Sequence, residues 1–234
     1  MLLINPAVVP FLLLLLLALF PGPAGAFASV PARKPALPAV SEAAAHQAFH
    51  TAEENYLRGL ALVEGAAPAG VRDYRAAAAF YRQAALQGHA QAQNNLGVLY
   101  AKGLGVPRSD TEAAAWYRRA ADQGHLRAMT NLASLYLEGR GVKRDHGRAF
   151  RLFSQAAEAG HAPAQNNLAL MYANGQSVKT NYVWAYAWLE LASGQLASSA
   201  ALRDRLALAM SPRQLADAKE RAREKKQELA ARAP

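Results

Sequence analysis

The chain has 234 residues, a formal net charge of +9 and no cysteine. That length supports one compact domain or a short repeat array. The lack of thiols excludes disulfides, thiolate chemistry, cysteine-based zinc sites and a lipid anchor on an N-terminal cysteine. The charge favours anionic partners without choosing among acidic proteins, envelope polymers, lipid head groups and nucleic acid.

Residues 1–26 contain no Asp, Glu, Lys or Arg. Ala7 to Phe20 is an apolar run of 14 residues, short of the roughly 20 needed to span a bilayer as a helix. Pro21-Gly22-Pro23 ends it, and Ala24-Gly25-Ala26 offers a small-x-small cleavage site before Phe27. This predicts a secretory signal peptide over 1–26, cleaved after Ala26, and a periplasmic or secreted protein. No basic residue precedes the run, and the alternative is an uncleaved anchor. Residues 27–40 carry three prolines and no helical period, the pattern of a flexible linker.

From Ser41 onward the pattern is helical and repetitive. AALQGHAQAQNNLGVLYAKGLGV from Ala84 recurs at Ala120 and at Ala156, a period of 36 residues. Gly88, Gly124 and Gly160 match, as do His89, His125 and His161, Leu96, Leu132 and Leu168, and Tyr100, Tyr136 and Tyr172. A weaker copy precedes them, with Gly59, Leu62 and Gly65 echoing Gly97, Tyr100 and Gly103. Each unit reads as two helices. In the first, Ala92, Leu96, Leu99 and Tyr100 share one face, and Gly103 and Gly105 end it. Ser109 to Glu112 is a capping box for the second, with Asp145 and Asn181 at the matching positions. The second helix presents Ala113, Trp116, Tyr117, Ala120 and Ala121 on one face. A helix pair this short cannot bury its own apolar face, whereas a stack of pairs can. The solenoid is expected over 41–197 and C-terminal capping helices over 198–234. In the last of these, Ser211 and Pro212 are the start signals and a basic surface covers a thin apolar stripe. That helix reads as a polar cap or as a basic docking arm.

Catalytic and metal signatures are weak. His46 and His50 share a helix face, but Gln47 stands where a zinc-protease motif needs glutamate, and only Glu42, Glu53 or Glu54 could add a third ligand. The three period-36 histidines sit too far apart to converge on one metal, because packed helices are about 8–10 Å apart. A hydrogen-bonding role at each helix start fits them better. No nucleophile with an adjacent base is visible. The expectation is a non-enzyme without cofactor or metal.

The pattern A-x-x-x-L-x-x-x-Y-x-x-G-x-G-V followed by A-x-x-W-Y-x-x-A-A-x-x-G-H resembles the Sel-one-like repeat family, related to tetratricopeptide repeats, over about residues 42–210. The resemblance implies an all-α, right-handed α/α superhelical solenoid of about four helix-turn-helix repeats, and a role as adaptor or scaffold. Departures are an enlarged loop from Gly65 to Arg72, Ser177 in place of Gly105 and Gly141, and Ala133 and Ala169 in place of Gly97. By the same resemblance, the first helices line a partner-binding groove. The face opposite their buried residues then carries Gln91, Asn94, Val98 and Lys102, next Arg127, Thr130, Ser134 and Glu138, and next Pro163, Asn166, Leu170 and Asn174. Asn95, Asn131 and Asn167 repeat at the margin, suited either to holding a peptide backbone or to tying units together. The expected function is an exported, monomeric adaptor that binds a protein or peptide in this groove, with no nucleic acid partner and no membrane span after cleavage. A binder of an anionic envelope polymer is the alternative, and a hydrolase the second.

Overall fold

The structure, a computed structural model, describes residues 42–65 and 70–232, with side chains from residue 51 onward. The expected signal peptide and linker, the side chains of Glu42, His46 and His50, and residues 66–69 of the enlarged loop lie outside the described residues. Ten helices follow in order: α1 (Glu42–Glu64), α2 (Tyr74–Leu86), α3 (Ala90–Lys102), α4 (Asp110–Asp122), α5 (Leu126–Glu138), α6 (His146–Glu158), α7 (Ala162–Asn174), α8 (Tyr182–Ser193), α9 (Ala197–Leu208) and α10 (Pro212–Arg232). Each packs mainly on its neighbours in the chain, and α10 turns back onto α8. This is the nearest-neighbour architecture of a helical solenoid, and no strand occurs among the described residues.

Short polar signals set the helix ends. Asp73, Ser109, Asp145 and Asn181 each accept a bond from a backbone N–H of the following turn, at 2.9, 3.2, 2.9 and 3.1 Å. Such caps are worth about 0.5–2 kcal/mol each. Nδ1 of His89 and of His125 does the same for α3 and α5, at 3.2 Å in both. The first helices then end on left-handed Gly103, Gly139 and Gly175. One long-range backbone bond closes each hairpin: Asp73 N to Leu62 O, Ser109 N to Tyr100 O, Asp145 N to Tyr136 O and Asn181 N to Tyr172 O. The Leu62 bond identifies the weak first copy as a true unit of the stack.

Alanines and a few large side chains per helix build the core. Ala77, Ala113, Ala149 and Ala185 are fully buried, and Tyr81, Tyr117, Phe153 and Leu189 fill the space beside them. Burying a side chain of that size contributes roughly 1.5–3 kcal/mol. Volume is traded between the two helices of a unit. A Cβ on Gly59 or Gly97 would stand 2.7 or 2.6 Å from the ring of Tyr81 or Tyr117. Where the next units have alanine, at Ala133 and Ala169, the equivalents of that ring are the smaller Phe153 and Leu189. Beyond α8, a second apolar cluster of Tyr186, Met210 and Ala218 seats α10. Ser211 Oγ accepts from Gln214 N at 3.3 Å and Gln214 Oε1 accepts from Ser211 N at 3.0 Å, a reciprocal cap at the start of that helix.

Candidate first-helix recognition face

The first helices α3, α5 and α7 each bury two opposite faces. One carries Ala92, Leu96, Leu99 and Tyr100 and their equivalents. The other contains the residues at 94, 130 and 166, and here the sequence-based placement on the open side is corrected. Asn94 is 5% exposed and Thr130 7%. Asn94 Oδ1 accepts from Asn131 Nδ2 of the next unit at 3.1 Å, and Asn94 Nδ2 donates to Asn95 Oδ1 at 3.2 Å. The Thr130 hydroxyl donates to the Leu126 carbonyl at 2.9 Å, leaving its oxygen to accept from Nδ1 of His161, 3.0 Å away. Asn166 Oδ1 accepts from Ser199 Oγ at 2.8 Å. In all three the small polar side chain bonds to the element that follows its unit. A helix inside a stack touches a neighbour on the side away from its own partner, so the face opposite its within-unit core is an interface.

A narrower stripe is left open between the two buried faces. Gln91, Asn95, Val98 and Lys102 are spaced at i, i+4, i+7 and i+11, one side of a helix. Gln91, Arg127 and Pro163 are exposed at the N-terminal end, and Lys102, Glu138 and Asn174 at the C-terminal end. Val98, Ser134 and Leu170, like Asn95, Asn131 and Asn167, are half-buried between them. Asn95 and Asn131 also serve the scaffold. Asn95 hydrogen-bonds the Tyr81 phenol, whose pKa burial raises and this bond lowers, with a net rise. Asn131 holds Asn94. Sequence reasoning lacked one signal it could have used: the residues at 94, 130 and 166 stay small and polar in α3, α5 and α7, whereas those at 91 and 102 change both size and charge across the same helices.

The histidines are part of the frame. His89 Nε2 lies 2.8 Å from Glu53 Oε2, and its ring stacks on Tyr56 at 4.5 Å. Glu54 pairs with Arg58. Two of the carboxylates considered as metal ligands are thus engaged by other side chains, and no group of three His, Asp or Glu side chains suited to a metal occurs among the described residues. Burial, then the positive charge of Arg127, hold the pKa of both His125 and His161 below the ordinary imidazole value. His161 does not cap its helix through its side chain, because Thr130 occupies Nδ1. No described helix is long and apolar enough to cross a membrane.

The Sel1 repeat family model matches four consecutive segments, residues 55–89, 90–125, 126–161 and 162–195, more than half of the chain. The crystal structure of a Sel1 repeat protein from Oxalobacter formigenes is similar at 30% identity and a TM-score of 0.63, over 76% of this chain and 72% of that one. A protective antigen present in uropathogenic Escherichia coli strains, c5321, which displays an SLR fold, is 26% identical with a TM-score of 0.47. The match to c5321 covers 81% of this chain and 48% of that protein. No curated protein matches the chain.

Proposed function

Because the chain belongs to the Sel1 repeat family, whose members generally mediate protein–protein interaction, we propose that it is an exported, non-enzymatic adaptor. The partner protein lies along the stripe of Gln91, Asn95, Val98 and Lys102 and its equivalents in α5 and α7. One observation carries this reading. Within the same helices, the residues that hold the stack stay alike from unit to unit, while the exposed ends of the stripe change from Gln91 to Arg127 to Pro163 and from Lys102 to Glu138 to Asn174. A surface that alters while its frame does not is suited to one partner. The uncharged apolar start and its small-x-small site support export.

The test is crosslinking in cells followed by pull-down of the tagged chain, beside a variant carrying Lys102→Glu, Arg127→Glu and Glu138→Lys. These side chains are exposed, and because Glu138 also pairs with Arg140 at 3.0 Å, circular dichroism must first show an unchanged helical content in the variant. One protein enriched by the parent chain and lost with the variant supports the adaptor reading. Retention of every enriched protein by the variant removes the stripe as the binding surface. Enrichment of a salt-labile glycan instead moves the function to envelope-polymer binding, because exposed charge contacts are screened within about 8–10 Å at 0.1–0.15 M salt. N-terminal sequencing of the exported fraction should begin at Phe27.

A further inference from the structure

The second helices frame a different surface. Tyr136, on α5, is 5% exposed, and two guanidinium groups converge on its phenol oxygen. Arg118 Nη2 on α4 and Arg148 Nη1 on α6 both donate to it at 3.1 Å. Both lone pairs of the phenol are used, and its own proton remains free to donate. Burial pushes the phenol pKa up, but the two arginine donors outweigh that and hold it below the ordinary tyrosine value. Lys143, Arg144 and Val142 close the remaining walls of a hollow of about 430 Å³.

Charge in this hollow is unbalanced. Four cationic side chains line it and Asp145 is the one carboxylate. Asp145 is already engaged, accepting from Arg148 N at 2.9 Å through Oδ1 and lying 3.3 Å from Arg148 Nε through Oδ2. Among the described residues, Arg118 has no carboxylate within ion-pairing distance. The repeat supplies an internal control. Tyr100 receives Arg82 from the preceding second helix, but Glu112 stands where Arg148 would be. Tyr172 has Ser154 and Trp184 at the two arginine positions, and its ring stacks on Trp184 at 6.2 Å. The same stack therefore forms with one arginine or with none, and the double guanidinium at Tyr136 is not a requirement of the fold.

We propose that this hollow docks an acidic segment of a partner protein, with neighbouring carboxylates taken up by Arg118 and Arg148 and the flanking charge met by Lys143 and Arg144. Several net positive charges suit consecutive carboxylates better than a single one. Guanidinium groups bind carboxylates in paired, charge-assisted bonds. Four cationic side chains line the hollow, and a neutral glycan brings no charge to offset them, whereas a run of carboxylates does. Val142 gives the methylenes of a glutamate an apolar wall. The site lies apart from the first-helix stripe and does not depend on it.

The test is fluorescence anisotropy of the full chain with a labelled oligoglutamate peptide, an oligoglutamine counterpart, and inorganic phosphate and a polyuronate as competitors. Oligoglutamate is expected to bind and oligoglutamine is not. Arg118→Gln and Arg148→Gln should each weaken binding roughly tenfold or more, the loss of a charge-assisted bond. The variant of the first-helix stripe should bind as the parent does, which separates this site from the adaptor surface. Hydrogen exchange of the parent chain gives a readout independent of any variant, with peptide-induced protection expected across residues 136–148. Equal binding of oligoglutamine, full affinity in both arginine variants, protection elsewhere, or tighter binding of phosphate or polyuronate than of oligoglutamate each overturns the proposal.

Discussion

The middle units and the last unit follow the same period but meet different neighbours, and their side chains differ where the neighbours do. In the middle, Gly105 and Gly141 press against the start of the preceding second helix. A Cβ on either would stand 2.2 Å from the carbonyl carbon of Tyr74 or Asp110. In the last unit the equivalent is Ser177, which keeps the same left-handed backbone at φ 70° while carrying a side chain. The second helix of that unit, α8, has no following unit and is covered by α10 instead. Arg221 lies over the ring of Trp184 at 5.2 Å and Lys225 over that of Trp188 at 5.5 Å. Lys225, 7% exposed, also reaches Glu158 on α6 at 3.6 Å, and Arg232 reaches the same carboxylate at 3.5 Å. The end of the array is closed by long basic side chains whose stems cover aromatic rings, where the interior uses close backbone contact.

Removing α10 by a stop at Ser211 should produce the largest effect. It uncovers Trp188, Tyr186 and their neighbours, a loss on the order of 5 kcal/mol for side chains of this size. Thermal unfolding by circular dichroism should show a lower and broader transition. An unchanged midpoint would mean that α8 is stable without its cover. Gly141→Ala comes next. The new Cβ collides with backbone and the residue must keep a positive φ, so about 3 kcal/mol should be lost. Arg140, which grips Asp110 through bonds of 2.8 and 3.1 Å, holds the hairpin against that backbone and leaves little room to shift.

Gly97→Ala should cost about 2 kcal/mol by forcing the Tyr117 ring aside. The stack itself suggests the rescue, because Ala133 is paired with Phe153. Adding Tyr117→Phe to Gly97→Ala should recover part of the loss, and a double-mutant cycle on denaturant midpoints measures the coupling. Strict additivity would refute the volume trade. In the last unit the sign reverses, and Ser177→Gly should stabilise by about 1 kcal/mol by relieving the left-handed strain.

Much of this arrangement was legible in the sequence. The period, the glycine helix ends, the Ser109 and Asp145 caps and the face of Ala92, Leu96, Leu99 and Tyr100 follow from local chemistry that acts within one unit. The inward turn of Asn94 and Thr130 was not legible, because a helical wheel treats a helix as having one buried face. In a stack the opposite face meets the next unit, and only the constancy of small polar residues at 94, 130 and 166 hints at it. The tail was legible in part. Its start signals at Ser211 and Pro212 were readable, whereas the seating of Arg221 over the Trp184 ring and its pairing with Glu224 at 2.8 Å depend on α8 lying beneath. The Tyr136 hollow escaped notice because Arg118 and Arg148 are 30 positions apart on helices that only the fold brings together.

The smallest effect expected is on pH dependence, and it too separates a middle unit from the last. His125 caps α5 through an Nδ1 that accepts, so it must be unprotonated there, and burial followed by Arg127 holds its pKa below the ordinary value of 6.5. The unfolded chain then binds more protons than the folded chain as pH falls, and stability rises with pH across that window. The contribution is complete above about pH 6.5 and is lost as pH falls through the depressed folded value. His161, whose pKa is also lowered by burial and Arg127, adds a loss of the same sign without a side-chain cap at stake. Asparagine caps helices well and does not titrate. Urea midpoints of His125→Asn should therefore fall less steeply than those of the parent between pH 7 and pH 5. His161→Asn should flatten the slope as well, but it also removes the bond to Thr130, so its midpoint should be lower than the parent's even at pH 7. Parallel slopes for parent and His125→Asn would show that the imidazole keeps its cap when acidified, which the accepting geometry at Ala128 N does not allow.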